Sequence, residues 1–295
     1  MQYHRLGNTS MQVSRLAFGC MSLKKDNPDA ANILQQAAES GINYFDTADL
    51  YEQGYNEILV GKALREKRKN IFLATKVGNQ WRPDGSGWDW NPSRSYILKA
   101  VEESLKRLGT DYIDLYQLHG GTMQDPIDET IAAFEELVQQ GKVRYYGISS
   151  IRPVVIRNWL ERSHLSEVML QYSLLDRRPE ETILPLLQNQ NIGVMVRGAI
   201  AQGLLIDKSS KPYLGHDASA VEKAAKAIAG ISGNRLSAAL GFVWHHPAVT
   251  SIVAGIRTSV QLQEALKAAE APPLTETQYE MLQHAVSPLL YTEHR

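Results

Sequence analysis

Four residues with complementary chemistry stand in the N-terminal part of the chain: Asp46, Tyr51, Lys76 and His119. A free phenol has a pKa of about 10, too high for easy proton exchange near neutrality. An ammonium beside it stabilises the phenolate and lowers that value, and a buried ammonium in turn needs a carboxylate counter-ion. An imidazole next to the phenol can orient a carbonyl oxygen or pass a proton. The set therefore suits delivering a proton to an oxygen as negative charge develops on it. No acyl-transfer nucleophile with a matched base accompanies it. Taken singly, each residue also reads as structure: a surface lysine, a core tyrosine, a capping aspartate. What sets them apart is position, because Asp46, Lys76 and His119 close three successive strand-like runs and Tyr51 follows the first of them.

The runs belong to a longer alternation. Leu16–Phe18 reads as a strand, followed by a helical stretch from Pro28 to Ser40 that Gly41 stops. Asn43–Asp46 is extended, Asn56–Lys67 helical, Ile71–Lys76 extended, and Ser93–Leu108 helical up to Gly109. Tyr112–Leu118, Val143–Ile148, Glu167–Gln171, Ile192–Val196 and Ser251–Ala254 are the later strands. Helical patterns at Ile127–Gln140, Pro153–Glu161, Glu180–Asn191, Ala218–Ala229, Leu236–His245 and Val260–Ala269 separate or follow them. Eight strand-and-helix units in sequence imply a parallel sheet covered by helices, and their number favours a closed (β/α)8 TIM barrel. Tyr3–Arg5, Gly7-Asn8 and Met11–Val13 read as a hairpin that plugs the bottom of the barrel, and Thr275–Val286 as an extra C-terminal helix. With no Pro/Ser-rich linker and no break in composition, one domain over residues 1–295 is expected. In such barrels the chemistry sits where strands end, which is where these four residues lie.

Composition narrows the partners. The 31 basic and 32 acidic residues leave a net charge of -1 without long runs of one sign. Nucleic acid or an anionic membrane would ask for a concentrated positive field, so neither is expected. No stretch approaches the roughly 18 consecutive apolar residues of a membrane helix. Cys20 is the single cysteine, and Met1–Arg5 lead into no apolar signal core, so a reducing, cytoplasmic setting is expected. The histidines lack metal-ligand spacing, and no metal is expected. The adjacent pair His245-His246 points in different directions on a helix and reads as structural. A small molecule is the partner this leaves, and the oligomeric state is not legible.

For a dinucleotide cofactor there is no Gly-x-Gly-x-x-Gly. Gly54–Lys62 fails as a phosphate loop because its glycines are wrongly spaced and Ala63 stands where a hydroxyl is needed. Gly255-Ile256-Arg257-Thr258 before a helix makes a better anion site, combining a helix N-terminus with a guanidinium and a hydroxyl. Gly78–Asn91 is a polar, glycine-containing loop with Trp81, Trp88 and Trp90. Trp81 is the better candidate for lining a pocket, whereas packing and pocket readings stay open for the other two. Gly120 and Gly121 leave room beside the imidazole of His119.

Gly41–Leu64, with Phe45-Asp46-Thr47-Ala48, Tyr51 and Gly61-Lys62-Ala63-Leu64, resembles the aldo-keto reductase signature. The likeness extends in order through Lys76, His119, Gly147–Ser150, Gln171–Leu174 and Gly255–Thr258, nearly the whole chain. The resemblance implies the same TIM barrel, NADPH as cofactor, and reduction of an aldehyde or ketone. It makes Tyr51 the proton donor, tuned by Lys76 and Asp46, with His119 orienting the substrate beside Tyr51 and Trp81. It places Ser149, Ser150 and Gln171 on the nicotinamide amide, although the family's usual Ser-Asn pair is Ser-Ser here. Arg197 stands where a stacking tyrosine is commonest, as in a bacterial branch, and its charge should disfavour the oxidised, cationic ring. Gly198-Ala199-Ile200-Ala201-Gln202-Gly203 is similar to the pyrophosphate cradle, and Lys208 and Lys211 beyond it either close over the cofactor or stay solvated. Arg257, with Gly255, Thr258, Gln261 and Glu264, would hold the 2′-phosphate and adenosine, with Ala265 where asparagine is common. Gly19-Cys20-Met21 matches a Gly-Thr-Met near the cofactor, with Cys20 read as a buried structural thiol. The other reading the resemblance admits is a catalytically weak NADP(H)-binding sensor or regulatory subunit.

Overall fold

The computed structural model describes residues 1–231 and 233–295. An antiparallel pair, β1 (Tyr3–Arg5) and β2 (Gln12–Ser14), precedes the repeat. Eight strands then close into a barrel in the order β3 (Leu16–Gly19), β4 (Tyr44–Asp46), β5 (Phe72–Val77), β8 (Ile113–Leu118), β9 (Val143–Ser149), β10 (Glu167–Gln171), β11 (Gly193–Arg197) and β12 (Ser251–Gly255). Every barrel pairing is parallel, so the fold is a (β/α)8 TIM barrel. Strands β6 (Asn79–Trp81) and β7 (Trp88–Trp90) form an antiparallel hairpin inserted after β5.

Helices α1 (Ala30–Glu39), α2 (Tyr55–Leu64), α3 (Arg94–Leu108), α4 (Ile127–Gln139), α5 (Pro153–Arg162) and α6 (Ile183–Asn189) follow the first six barrel strands in turn. Two helices, α7 (Ala218–Ile231) and α8 (Arg235–His245), lie between β11 and β12. Then come α9 (Ser259–Glu270) and the additional α10 (Glu276–Ala285), which starts in a capping box of Thr275 and Gln278.

The strands alternate faces, and each face is buried for its own reason. Phe18, Phe45, Leu73, Tyr116, Leu118, Val168, Leu170, Val194 and Ile252 join the core between sheet and helices. The residues between them form a separate inner cluster: Ala17, Tyr44, Ala74, Leu115, Met169, Met195 and Val253. Leu6, Met11 and Val13 of the N-terminal segment complete that cluster, so the hairpin does cap the barrel. Asp46, Lys76, Gln117 and His119 have the parity of the inner set and therefore face the barrel axis.

Two helices are shorter than the sequence pattern suggests. The Glu180–Asn191 stretch is a 3-10 turn over Arg178–Glu181 followed by α6, because Pro185 has no N–H for the Glu181 carbonyl. The Asn56–Lys67 helix stops as α at Leu64 and tightens into a 3-10 turn over Arg65–Asn70. Gly61 in α2 is a packing requirement, since a Cβ there would sit 2.2 Å from the Leu108 carbonyl oxygen. No helix among the described residues is long and apolar enough to cross a membrane.

Candidate active site

Asp46 at the end of β4 and Lys76 near the end of β5 meet inside the barrel mouth. The Lys76 ammonium donates to Asp46 Oδ2 at 2.7 Å and lies equally close to Oδ1. It also donates to the Thr47 carbonyl at 2.7 Å and to the Tyr51 hydroxyl at 3.4 Å, which engages all three of its protons. Lys76 is 1% exposed and Asp46 4% exposed, so the pair is held out of water. Burial works against the Lys76 charge, but the Asp46 carboxylate and the Tyr51 phenol outweigh it and raise the ammonium above its ordinary value. Burial likewise pushes the Asp46 carboxyl up, and Lys76 pulls it partly back.

Tyr51 departs from expectation in one respect. Burial raises its phenol above the ordinary value of 10, and the Lys76 ammonium recovers only part of that rise. Desolvation wins because the phenolate, not the phenol, carries the charge. The hydroxyl therefore stays protonated near neutrality, as a donor must. The His119 ring stands edge-on to the Tyr51 ring, with centroids 5.8 Å apart and planes at 83°. Burial, then the positive charges of Lys76 and Arg197, push its pKa down to about 3. The imidazole is neutral, and its Nδ1 is buried with no partner among the described residues. It can orient a polar group but holds no proton of its own to spare.

The loop carrying Tyr51 is strained. Glu52, Gln53 and Gly54 follow with φ of 50°, 55° and 85°, two of them non-glycine. Such residues cost of order 1–3 kcal/mol each and persist where neighbours over-determine them. The Trp81 indole N–H holds the Leu50 carbonyl at 3.1 Å, and Glu52 Oε2 accepts the Lys25 backbone N–H at 2.7 Å. Asn56, fully buried, ties the loops after β3 and β4 together: it accepts from the Thr47 hydroxyl and donates to the Cys20 and Leu23 carbonyls. Its contribution has no sequence signal beyond a polar residue on a buried helix face.

The remaining candidates lie around the same mouth. Arg197, exposed at the end of β11, donates to Gln171 Oε1 at 2.9 Å. The Gln171 amide donates to Asp176 Oδ2 at 2.8 Å and to the Tyr213 hydroxyl at 3.3 Å, so both of its ends are engaged. Ser149 is half-buried, and the Ser150 hydroxyl accepts the Arg152 backbone N–H at 3.3 Å. In the stretch after β11, Gly198 is followed by left-handed Ala201, Gln202 and Gly203 at φ of 47°, 60° and 93°. Ala199 is buried and Ile200 half-buried. Within this turn the Ala201 and Gly203 N–H groups close on the Gly198 and Ile200 carbonyls at 2.9 Å each.

Arg257 is exposed, and its guanidinium makes no hydrogen bond or ion pair among the described residues. Its backbone N–H donates to Gln261 Oε1, and Thr258 caps α9 by accepting from the Gln261 backbone N–H at 3.2 Å. Glu264 is exposed on the same helix, whereas Ala265 is buried in the helix–sheet core. A Cβ at Gly255 would meet Ser22 Oγ at 2.8 Å, which brings the loops after β3 and β12 together. Gly19 and Cys20 are buried there, and Met21 is 56% exposed. Burial pushes the Cys20 thiol well up, so no thiolate forms and the residue packs as a small apolar group.

The three tryptophans part company. Trp81 is half-buried beside Leu50 and Trp88 is 47% exposed. Trp90 packs against Gly78 and Gly120 and donates to Asp125 Oδ1 at 2.8 Å. The room expected beside the imidazole is therefore taken: a Cβ at Gly120 would touch the Trp90 ring at 3.3 Å, and one at Gly121 would meet Val155 at 2.8 Å. No cluster of three or more His, Cys, Asp or Glu side chains suited to a metal occurs among the described residues.

Besides Asp46, two buried carboxyl groups with raised pKa values have no signal in the sequence. Glu167, inside the barrel, accepts from Gln117 at 2.7 Å and is held well above the usual carboxylate range by burial. Asp49 lies behind the Tyr51 loop at the base of a cleft of about 380 Å³ between the β6–β7 hairpin and α3. Burial, then the nearby Glu57, raises its pKa to about 8.

A parallel barrel that presents a phenol against a buried lysine–aspartate pair, with a neutral imidazole opposite, is an oxidoreductase of the barrel-fold reductase class. The chain belongs to the aldo/keto reductase family, whose model matches residues 15–287. It is 45% identical to the uncharacterized oxidoreductase YqkF of Bacillus subtilis (strain 168) over the full length of both chains. Among solved structures it is similar to the aldo-keto reductase AKR11C1 from Bacillus halodurans. The holo form is 47% identical, covering 100% of this chain and 99% of that one, with a TM-score of 0.96. The apo form, at the same coverage and an aligned identity of 43%, gives a TM-score of 0.87.

Proposed function

We propose that this chain is a cytoplasmic, NADPH-dependent reductase of aldehydes or ketones, with Tyr51 as proton donor and a small carbonyl compound as substrate. One observation carries the reading: the Tyr51 hydroxyl, kept protonated by burial, faces the Lys76 ammonium at 3.4 Å and stands edge-on to neutral His119. When bound, the cofactor is the source of the hydride that the carbonyl carbon accepts. Tyr51 gives its proton to the carbonyl oxygen, and the phenolate left behind is stabilised by Lys76, whose charge Asp46 balances. His119 positions the oxygen without competing as an acid. Trp81 offers a ring face to the substrate, because its N–H is committed to Leu50. Solvent protons restore the phenol after each turnover.

The rim fits a dinucleotide phosphate. The Arg257 guanidinium, without a partner among the described residues, suits an added phosphate at the start of α9, and the small-residue stretch Gly198–Gly203 lets a pyrophosphate approach the backbone. Half-buried Ser149 and, from a buried position, Ser150 are the hydroxyls for a carboxamide, and Arg197 sets a positive charge beside the ring site. That the similar AKR11C1 has a holo form supports a bound cofactor for this chain. Fluorescence titration with NADPH and NADH tests the reading. At least roughly tenfold weaker binding of NADH is expected, equivalent to about 1.4 kcal/mol from the phosphate contacts. Absence of binding by either would remove it.

A further inference from the structure

The β6–β7 hairpin touches both halves of the proton-transfer pair. Through Trp81 it reaches the Leu50 carbonyl, one residue before Tyr51. Through Asn79, 5% exposed, it reaches the carbonyl of His119 itself, with Nδ2 donating at 3.3 Å. The two residues flank Gln80 on one short strand paired to β7, with Asn79 opposite Trp90 and Trp81 opposite Trp88.

The hairpin is itself well anchored. Its base is closed by the Asn91 N–H on the Gly78 carbonyl at 2.7 Å and by the Asn91 amide on Gln80 Oε1 at 2.7 Å. Its tip is closed by the Arg82 guanidinium on Asp89, with contacts of 2.6–3.1 Å. The Trp90 ring wedges over Gly78 and Gly120, and its N–H joins Asp125, which also accepts the Thr122 N–H and hydroxyl in the loop after His119. The His119 N–H is fixed to the Val77 carbonyl at 2.7 Å. One rigid ribbon thus grips the backbone on both sides of the barrel mouth, and one of the two segments it grips is the strained Leu50–Gly54 turn.

We infer that Asn79 and Trp81 are positioning residues for the proposed reduction, and that the hairpin sets the spacing between the Tyr51 hydroxyl and the His119 imidazole. The inference rests on the proposed role of Tyr51 as proton donor. A backbone shift of about 1 Å at a reacting group can cost 10²-fold in rate, whereas two neutral hydrogen bonds contribute little to global stability. Loss of either N–H should therefore appear in turnover well before it appears in folding.

The test is a double-mutant cycle. Trp81→Phe keeps a ring face and removes the N–H; Asn79→Ala removes the amide, with Asn79→Ser as the gentler variant should Asn79→Ala fold poorly. Each is made in the wild-type and in the Tyr51→Phe background, and kcat, KM and the NADPH affinity are measured. Expected is a fall of roughly 5- to 100-fold in kcat with NADPH affinity unchanged. In the Tyr51→Phe background the further loss from Trp81→Phe should be small, because the proton it positions is already gone. A rise in KM alone, a loss as large in the Tyr51→Phe background as in the wild type, or no loss would overturn the positioning role while leaving Tyr51 as donor. Wild-type turnover by Tyr51→Phe itself would remove the donor role, and the inference with it.

Discussion

Replacing Lys76 by methionine separates what the buried pair does for folding from what it does for chemistry. In the wild type the ammonium contacts both Asp46 oxygens at 2.7 Å, and the two side chains are almost wholly removed from water. Lys76→Met leaves the Asp46 carboxyl buried without a partner, a change that costs about 3–5 kcal/mol. At ~2 °C per kcal/mol for a large single barrel, the melting temperature should fall by roughly 6–10 °C at pH 8. The deficit has a definite pH dependence. Asp46 without its counter-ion has a folded pKa above its unfolded value, so it favours the unfolded chain increasingly as pH rises and less as pH falls. The loss should therefore shrink towards pH 5. The double variant Asp46→Asn/Lys76→Met buries no charge and should regain most of the lost stability, while reductase activity stays absent in both. Scanning calorimetry from pH 5 to 8 beside an aldehyde-reduction assay reads all of this. A Lys76→Met protein as stable as wild type at pH 8, or a double variant no better than the single, would refute the charge-compensation reasoning.

Asp49→Asn should stabilise the protein, and more so as pH rises. With a folded pKa of about 8, the native state holds a proton across pH 4–8 that the unfolded chain releases, so wild-type stability falls through that window. The gain should be negligible at pH 4 and on the order of 2–5 kcal/mol at pH 8; thermal melts at the two pH values check it, and an offset independent of pH contradicts it. Because His119 is neutral down to about pH 3, the rate of carbonyl reduction should show no imidazole limb between pH 5 and 7.5. A limb near 6.5 in kcat would show a protonated His119. Arg197→Ala should lower the ratio of affinities for reduced over oxidised cofactor by roughly three- to tenfold, about 1 kcal/mol from one cation beside the ring. Equal ratios before and after substitution would dismiss that role.

Much of this architecture was legible in the chain because barrel strands carry two kinds of information. The βα alternation marks the elements, and the period of two assigns faces. Asp46, Lys76 and His119 could be placed at one mouth from strand ends alone. The strain at Glu52–Gly54 was not legible, since it depends on Trp81 and Lys25 reaching the loop from elsewhere. The hairpin after β5 read as a loop because its strands have three residues each and their tryptophans face neighbours distant in sequence. The net direction of the Tyr51 shift was misjudged for a related reason. Sequence shows which charges are near, whereas the depth of burial that outweighs them appears only in the fold. Gly120 illustrates the same limit: a glycine suggests space, and here the space belongs to Trp90.

The most direct test of the account is Tyr51→Phe, assayed for aldehyde reduction together with NADPH titration. Turnover should fall roughly 10²- to 10⁴-fold, the scale of losing a general acid. NADPH affinity and melting temperature should remain close to wild type, because the phenol's only hydrogen bond among the described residues is the 3.4 Å contact with Lys76. Wild-type turnover in that variant, with cofactor bound normally, would contradict it.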